Sequence, residues 1–293
     1  MNKTRVHILG ASGFVGNSLY KNFSADSDFD VKGYSSQDCN LLFYNSVSLT
    51  LPRFNSDDVV IMASSITRLK ENSLESMTKN IKMADNISRF IKENLPGQFI
   101  FLSTADVYGI NPTLPIHEKL LPNPNDHYAI SKLSSEFILK STCSNKGIPL
   151  LTLRLSGMYG NGDDGISTIN RLVKSAINGK IILANNGLDR RDFFYVDDLH
   201  KLIKEGIDKR TDLTVNVATG ENYSIGEIAE LIKFLFSGKV SVEYEERKDS
   251  GKRIGEMRFD TKLLGEIFPK IRFTDIKSGL SFYIQKQKIK WQK

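Results

Sequence analysis

Along the first half of the chain, short apolar runs alternate with longer stretches in which apolar positions recur at helical spacing. Val6-His7-Ile8-Leu9 reads as a buried strand, as do Phe29 to Tyr34, Asp58 to Ala63, Gln98 to Ser103 and Pro149 to Leu155. Gly16 to Phe23, Ser73 to Asn94 and Asp126 to Asn145 carry the helical period between them. This alternation predicts an α/β fold built on a Rossmann-type doubly wound parallel sheet with helices on both faces. After about Leu155 the pattern loosens, and Gly160 to Gly165 is a loop by composition. Helices are expected near Thr168 to Asn178, Val196 to Lys209 and Ser224 to Phe236, strands at Leu213 to Val217 and Val240 to Tyr244, and a last helix from about Asp275. The expected division is a regular part over residues 1–155 and a smaller mixed α/β part over 156–293, some of whose segments return to the sheet.

Composition narrows the class of molecule. The 293 residues are 40% hydrophobic and 25% charged, values ordinary for a soluble globular enzyme. No apolar run approaches the roughly 20 residues needed to span a bilayer. Val6 to Leu9 is too short for the apolar core of a signal peptide. Cys39 and Cys143 are far apart, which speaks against a disulfide framework and for a reducing cytoplasm. The four histidines show no metal-ligand spacing, so no metal is expected. The net charge of +6 is scattered, densest in the tail Lys286 to Lys293. Without a compact basic motif it does not point to nucleic acid, and it suits a ligand bearing phosphates.

Chemistry begins at the first strand's end. Gly10-Ala11-Ser12-Gly13-Phe14-Val15-Gly16 follows that strand and opens a helix. Its glycines serve a tight turn, close backbone approach to a pyrophosphate and close helix-on-strand packing. The helix N-terminus adds N–H groups and a positive dipole. Gly10, Ser12, Gly13, Phe14, Val15 and Gly16 are therefore expected at a dinucleotide, NAD or NADP. The second strand is followed by Ser35 and Ser36 with no carboxylate at its end, which leans towards NADP over NAD; Asp38, the nearest acid, reads as a turn residue.

Tyr128 and Lys132 stand four apart on an expected helix and so project from one face. Tyrosine is a weak acid–base group, with an ordinary pKa of about 10, but a neighbouring ammonium and an oxidised nicotinamide stabilise its phenolate. It can then exchange a proton with a sugar hydroxyl or ketone. Ser103 and Thr104 end the strand before that helix, where a parallel sheet opens its ligand crevice, and a hydroxyl there can reach the reacting oxygen.

These segments, with Ser103-Thr104-Ala105-Asp106-Val107-Tyr108-Gly109, Leu153-Arg154-Leu155 and Arg191 to Asp198, resemble the extended short-chain dehydrogenases, the NAD-dependent epimerase/dehydratase family of nucleotide-sugar enzymes. The resemblance implies Thr104 as the catalytic hydroxyl, Tyr128 as acid–base and Lys132 on the nicotinamide ribose. It places Ala63, Ser64, Asn80 and Ser103 near the cofactor, and Thr104, Ala105, Asp106, Arg191 and Arg253 near the substrate, the two arginines at its diphosphate. It also implies a homodimer through the helices at Ser73 to Asn94 and Asp126 to Lys140. The family's dehydratases carry Thr-Asp-Glu where this chain has Thr104-Ala105-Asp106, so water elimination is not expected. The chain is also shorter than typical 4-epimerases. The expected activity is reduction of a 4-keto, often 6-deoxy, nucleotide sugar. Two alternatives stand beside it: a 4-epimerase with tightly bound NAD, and a non-catalytic dinucleotide sensor.

Overall fold

The computed structural model describes residues 3–163, 167–184, 187–245 and 255–291. In chain order the strands are β1 (Thr4–Leu9), β2 (Phe29–Tyr34), β3 (Asp58–Met62), β4 (Gln98–Thr104), β5 (Leu150–Leu155), β6 (Gly157–Tyr159), β7 (Lys180–Ala184), β8 (Arg190–Arg191), β9 (Phe193–Tyr195), β10 (Leu213–Val217), β11 (Tyr223–Ser224) and β12 (Ser241–Glu245). The helices are α1 (Phe14–Ala25), α2 (Tyr44–Thr50), α3 (Leu74–Ile91), α4 (His127–Lys146), α5 (Thr168–Ile177), α6 (Asp198–Asp208), α7 (Ile225–Leu235), α8 (Lys262–Ile267) and α9 (Ile276–Trp291), with a 3-10 turn at Ala105–Tyr108.

Six strands form one sheet in the order β10-β5-β4-β3-β1-β2, and the pairs from β2 to β5 are parallel. Every residue of β3, β4 and β5 is buried, as parallel strands covered on both faces require. On one face Leu9, Val60, Phe99 and Phe101 pack with Ile87 and Phe90 of α3 and Leu139 of α4. The chain winds to β2 on one side of β1 and to β3 on the other. A crevice opens at such a switch point, beyond the strands' carboxyl ends.

The chain divides into two compact units. The first comprises residues 1–109, 121–155 and 199–216 and contains most of this sheet; the second comprises 110–120, 156–198 and 217–293. Within the second unit, the pairs β7/β12, β6/β9 and β8/β11 and helices α5, α7 and α9 surround a core that includes Tyr159, Val173, Phe193, Ile228, Ile232, Leu280 and Tyr283.

Several short elements have no counterpart in the hydrophobic pattern. Helix α2 buries only Val47, so its period is invisible. Strands β8 and β11 have two residues each, too few to show any period.

Candidate active site

At the end of β1, Gly10 takes φ +89°, and the N–H groups of Gly10 and Ala11 both donate to the Tyr34 carbonyl, at 2.8 and 3.1 Å. A Cβ on Gly10 would stand 2.8 Å from the Ser64 Cα, and one on Gly16 would overlap the Gly10 carbonyl. Ala63 N–H donates to the Leu9 carbonyl, so the ends of β1 and β3 meet at this turn. Helix α1 then begins with no side-chain cap at Gly13 and no acidic residue in its first turn. Its leading N–H groups and positive dipole are thus left for an anion. Ser12 and Gly13 are exposed and Phe14 and Val15 half-buried. This cradle fits the pyrophosphate of a dinucleotide.

At the end of β2, Ser35 is half-buried and Ser36 exposed. The Ser35 N–H and hydroxyl both donate to Asp38 Oδ2, at 2.9 and 2.6 Å, and these bonds hold the exposed carboxyl below its usual range. Asp38 is a turn residue, as its spacing suggests, but the turn folds its carboxylate back against the strand end.

Helix α4 starts at an Asp126 cap, whose carboxylate accepts from Ala129 N–H. Tyr128 and Lys132 lie on one face of its first turns. Lys132 is buried; its ammonium donates to the Leu102 carbonyl of β4 and lies 4.4 Å from the Phe101 ring centroid. Burial pulls this amine down to about 7, with Glu136 acting in the opposite sense. Burial pushes the Tyr128 phenol well above its ordinary value; the Asp106 carboxylate adds to this and the Arg68 guanidinium opposes it. The Lys132 ammonium hydrogen-bonds the strand, and the carboxylate beside the tyrosine works against ionisation of the phenol.

Side chains alternate along a strand, so Ser103 and Thr104 face opposite ways. The Ser103 hydroxyl donates to buried Glu136. Thr104 Oγ1 accepts from Asp106 N–H at 3.2 Å and caps the 3-10 turn. Ala105 is buried, while Asp106 is partly exposed.

Asn80 is also buried. Its Oδ1 accepts from Ile66 N–H, and its Nδ2 donates to the Ile66 carbonyl and to Ser131 Oγ. These contacts tie the loop after β3 to the start of α4. Two residues of that loop have no role in the sequence reading. Arg68 Nη1 lies 3.2 Å from Asp106 Oδ2 and 4.0 Å from Asp126 Oδ2, and Asn72 Oδ1 accepts from Tyr128 N–H at 3.1 Å. Their one sequence signal is proximity to the crevice end of β3.

In the second unit, Arg191 is half-buried on β8 and donates through Nη1 to the Arg190 carbonyl. The neighbouring Asp192 carboxylate accepts from Ser156 Oγ, Thr219 N–H and Oγ1, and Gly220 N–H. Burial raises it to about 6, the four bonds acting against that rise. Arg253 lies outside the described residues.

The sequence model of the "NAD dependent epimerase/dehydratase family" matches residues 6–226. Among curated proteins, the chain is 26% identical to a GDP-6-deoxy-D-talose 4-dehydrogenase of Aggregatibacter actinomycetemcomitans, over 94% of this chain and 95% of that protein. The structure of RMD from Pseudomonas aeruginosa complexed with NADPH superposes with a TM-score of 0.84 at 22% identity, covering 98% of this chain and 100% of that one. A UDP-N-acetylglucosamine 4-epimerase from Methanobrevibacter ruminantium M1, in complex with UDP-N-acetylmuramic acid, also superposes with a TM-score of 0.84, at 20% identity, covering 99% and 100%. The two structures share the fold of this chain.

Proposed function

Because the chain belongs to the NAD dependent epimerase/dehydratase family, we propose that it is an NAD(P)-dependent oxidoreductase that reduces the 4-keto group of a 6-deoxy sugar nucleotide. The observation that carries this reading is the shared face of α4: Tyr128, whose phenol can donate a proton, stands one turn before buried Lys132, which is bonded to the β4 end that carries Thr104. Reduction of a ketone needs that donor.

In this reading Tyr128 gives its proton to the carbonyl oxygen and Thr104 steadies that oxygen by a hydrogen bond. Lys132 and the α1 turn, from Gly10 to Gly16, hold the dinucleotide, with Ser35, Ser36, Ala63 and Ser64 along its length. Asn80 and Ser103 hold the helix and strand that carry these groups. The nicotinamide, when bound, supplies the hydride. Asp106, Arg191 and Arg253 are assigned to the substrate, the arginines to its phosphates. Buried Ala105 stands where the family's dehydratases carry an acid, which speaks against water elimination. The name of the Aggregatibacter relative, a dehydrogenase at C4 of a GDP-6-deoxy sugar, supports the substrate class.

The hydroxyl-lined end of β2 suits NADP. Asp38, folded onto Ser35, is the feature that favours NAD, and with it a 4-epimerase that keeps NAD bound. We also place the protein in the cytoplasm as a homodimer, which the exposed apolar side chains of Leu74 on α3 and Ile130 and Phe137 on α4 support.

The test is the dinucleotide released from freshly purified protein, followed by titration with NADPH and NADH and assay on 4-keto sugar nucleotides. Reversible binding and turnover of a 4-keto substrate support the reductase. Stoichiometric release of NAD with no exchange of reduced cofactor replaces it with the epimerase.

A further inference from the structure

Glu136 stands one turn beyond Lys132 on α4, and both are buried. Its carboxylate collects three donors. Ser103, the penultimate residue of β4, donates through Oγ to Oε1. Arg154, its register neighbour on β5, donates through Nε to Oε1 at 3.1 Å and through Nη2 to Oε2 at 2.7 Å. Arg154 is fixed in turn: Nη1 donates to Tyr108 Oη at 2.9 Å, and that hydroxyl donates to Asn216 Oδ1 at 2.8 Å. Lys132 grips the same strand end through the Leu102 carbonyl. Tyr128, Lys132 and Glu136 therefore form one stripe of α4 at i, i+4 and i+8, and two of its three members hold consecutive residues of β4.

We propose that Glu136 is a positioning residue for the acid–base pair, tying the end of β4 to the helix that carries Tyr128 and Lys132 and supplying the negative charge that keeps Lys132 an ammonium. The proposal rests on the reading of Tyr128 and Lys132 given above. An ammonium removed from water favours its neutral form unless a counter-charge is fixed nearby. Other charged or titratable groups on elements packed against α4 include Arg154 on β5, Asp106 and Tyr108 on the 3-10 turn, Tyr128 on α4 itself, and on α3 the pairs Glu75–Lys79 and Lys82–Asp85 with Arg89. Helix α3 presents the neutral Asn80 through Ser131. Asp106 is engaged by Arg68. Glu136, one turn beyond Lys132 on the same helix, opposes the effect of burial on that amine, and Arg154 holds its carboxylate in place. Without Glu136, buried Arg154 would lose its paired carboxylate.

The test reads Lys132 directly. In protein labelled with 13Cε-lysine, the Lys132 signal is assigned by its loss in Lys132→Arg and followed against pH, alongside the pH profile of kcat/KM. In Glu136→Gln the Lys132 midpoint is expected to fall by about one pH unit or more, and the alkaline limb of the profile to move down with it. Glu136→Asp, which keeps the charge, is expected to restore both. If Glu136→Gln alone does not fold because Arg154 is left unpaired, Glu136→Gln is made in an Arg154→Gln background, and the Lys132 midpoint is expected to fall relative to Arg154→Gln alone. An unchanged midpoint in either folded variant overturns the proposal, and so does a loss of activity that is equal at every pH. Failure of the functional reading is distinguishable: it would show as full activity in Tyr128→Phe, while the Lys132 midpoint still reports on Glu136 without any substrate.

Discussion

Asn80 on α3 holds Ser131 on α4: its side-chain amide donates to the Ser131 hydroxyl at 3.1 Å, and that hydroxyl donates in turn to the Tyr128 carbonyl at 2.7 Å. The same amide satisfies both backbone groups of Ile66. Asn80→Ala is therefore expected to strand buried polar groups on the loop and the helix together, costing about 1–3 kcal/mol of stability. Turnover should fall more than dinucleotide affinity, since the shifted element carries Tyr128. Urea unfolding and steady-state kinetics on the same preparation check this; unchanged kcat in a destabilised protein would remove Asn80 from the site.

Gly10 is constrained twice, by its positive φ and by the Ser64 backbone 2.8 Å from where a Cβ would stand. Gly10→Ala should displace the turn on which the leading N–H groups of α1 depend. Dinucleotide affinity is expected to drop at least tenfold, about 1.4 kcal/mol, with the far-ultraviolet circular dichroism unchanged. Fluorescence titration with NADPH and NADH measures it, and wild-type affinity would refute the cradle.

How much of this was legible beforehand differs from residue to residue. The turn from Gly10 to Gly16 encodes its geometry locally, because the glycines that need positive φ or close approach are written in the spacing. Tyr128 and Lys132 are legible for the same reason, four apart on one helix. Ser103 and Thr104 are adjacent in sequence, and only the strand's facing decides that one hydroxyl goes to Glu136 and the other caps the turn. Glu136 on α4 depends on Arg154, 18 residues away on strand β5, and Arg68 on Asp106 across a loop. Such pairings depend on tertiary register, which a local pattern does not contain. Asp38 is an intermediate case, since the turn that folds it onto Ser35 could be read but its direction could not.

Tyr128→Phe keeps the ring and removes the phenolic hydroxyl with its exchangeable proton. A loss of about 10²- to 10⁴-fold in kcat is expected, the range for removing a positioned acid–base group. Dinucleotide affinity should stay near wild type. Single-turnover reduction of a 4-keto sugar nucleotide is the measurement; near-normal rates would show that another group, or water, protonates the oxygen.

In the second unit, Gly279 of α9 lies against the buried hydroxyl of Tyr159, with which an added Cβ would overlap. That hydroxyl has no hydrogen-bond partner among the described residues. Gly279→Ala improves helix propensity by about 1 kcal/mol, yet overpacking costs about 1–3 kcal/mol, so net destabilisation is expected. Tyr159→Phe should be neutral or stabilising, because it deletes an unsatisfied polar atom. Combining the two should recover the stability lost in Gly279→Ala. Melting temperatures of the four proteins form the double-mutant cycle, and strict additivity would disprove the contact.

His7 couples stability to pH. It lies buried on β1, with Nδ1 3.2 Å from Tyr34 Oη and Nε2 3.4 Å from Asp58 Oδ1. Burial lowers its pKa from 6.5; Asp58 opposes this, and the nearby Arg5 and Lys32 reinforce it. The native state therefore refuses a proton that the unfolded chain accepts as pH falls through 6.5. More protons are bound to the unfolded chain in that window, so stability rises with pH up to 6.5 and is lost below it, down to the folded value. His7→Gln removes this titration while leaving the carboxylates to titrate as before. The difference between wild-type and variant urea midpoints, from about pH 5 to about pH 7.5, should therefore narrow as pH falls. Parallel curves would mean that Asp58 compensates the imidazole fully, so that burial does not set its charge.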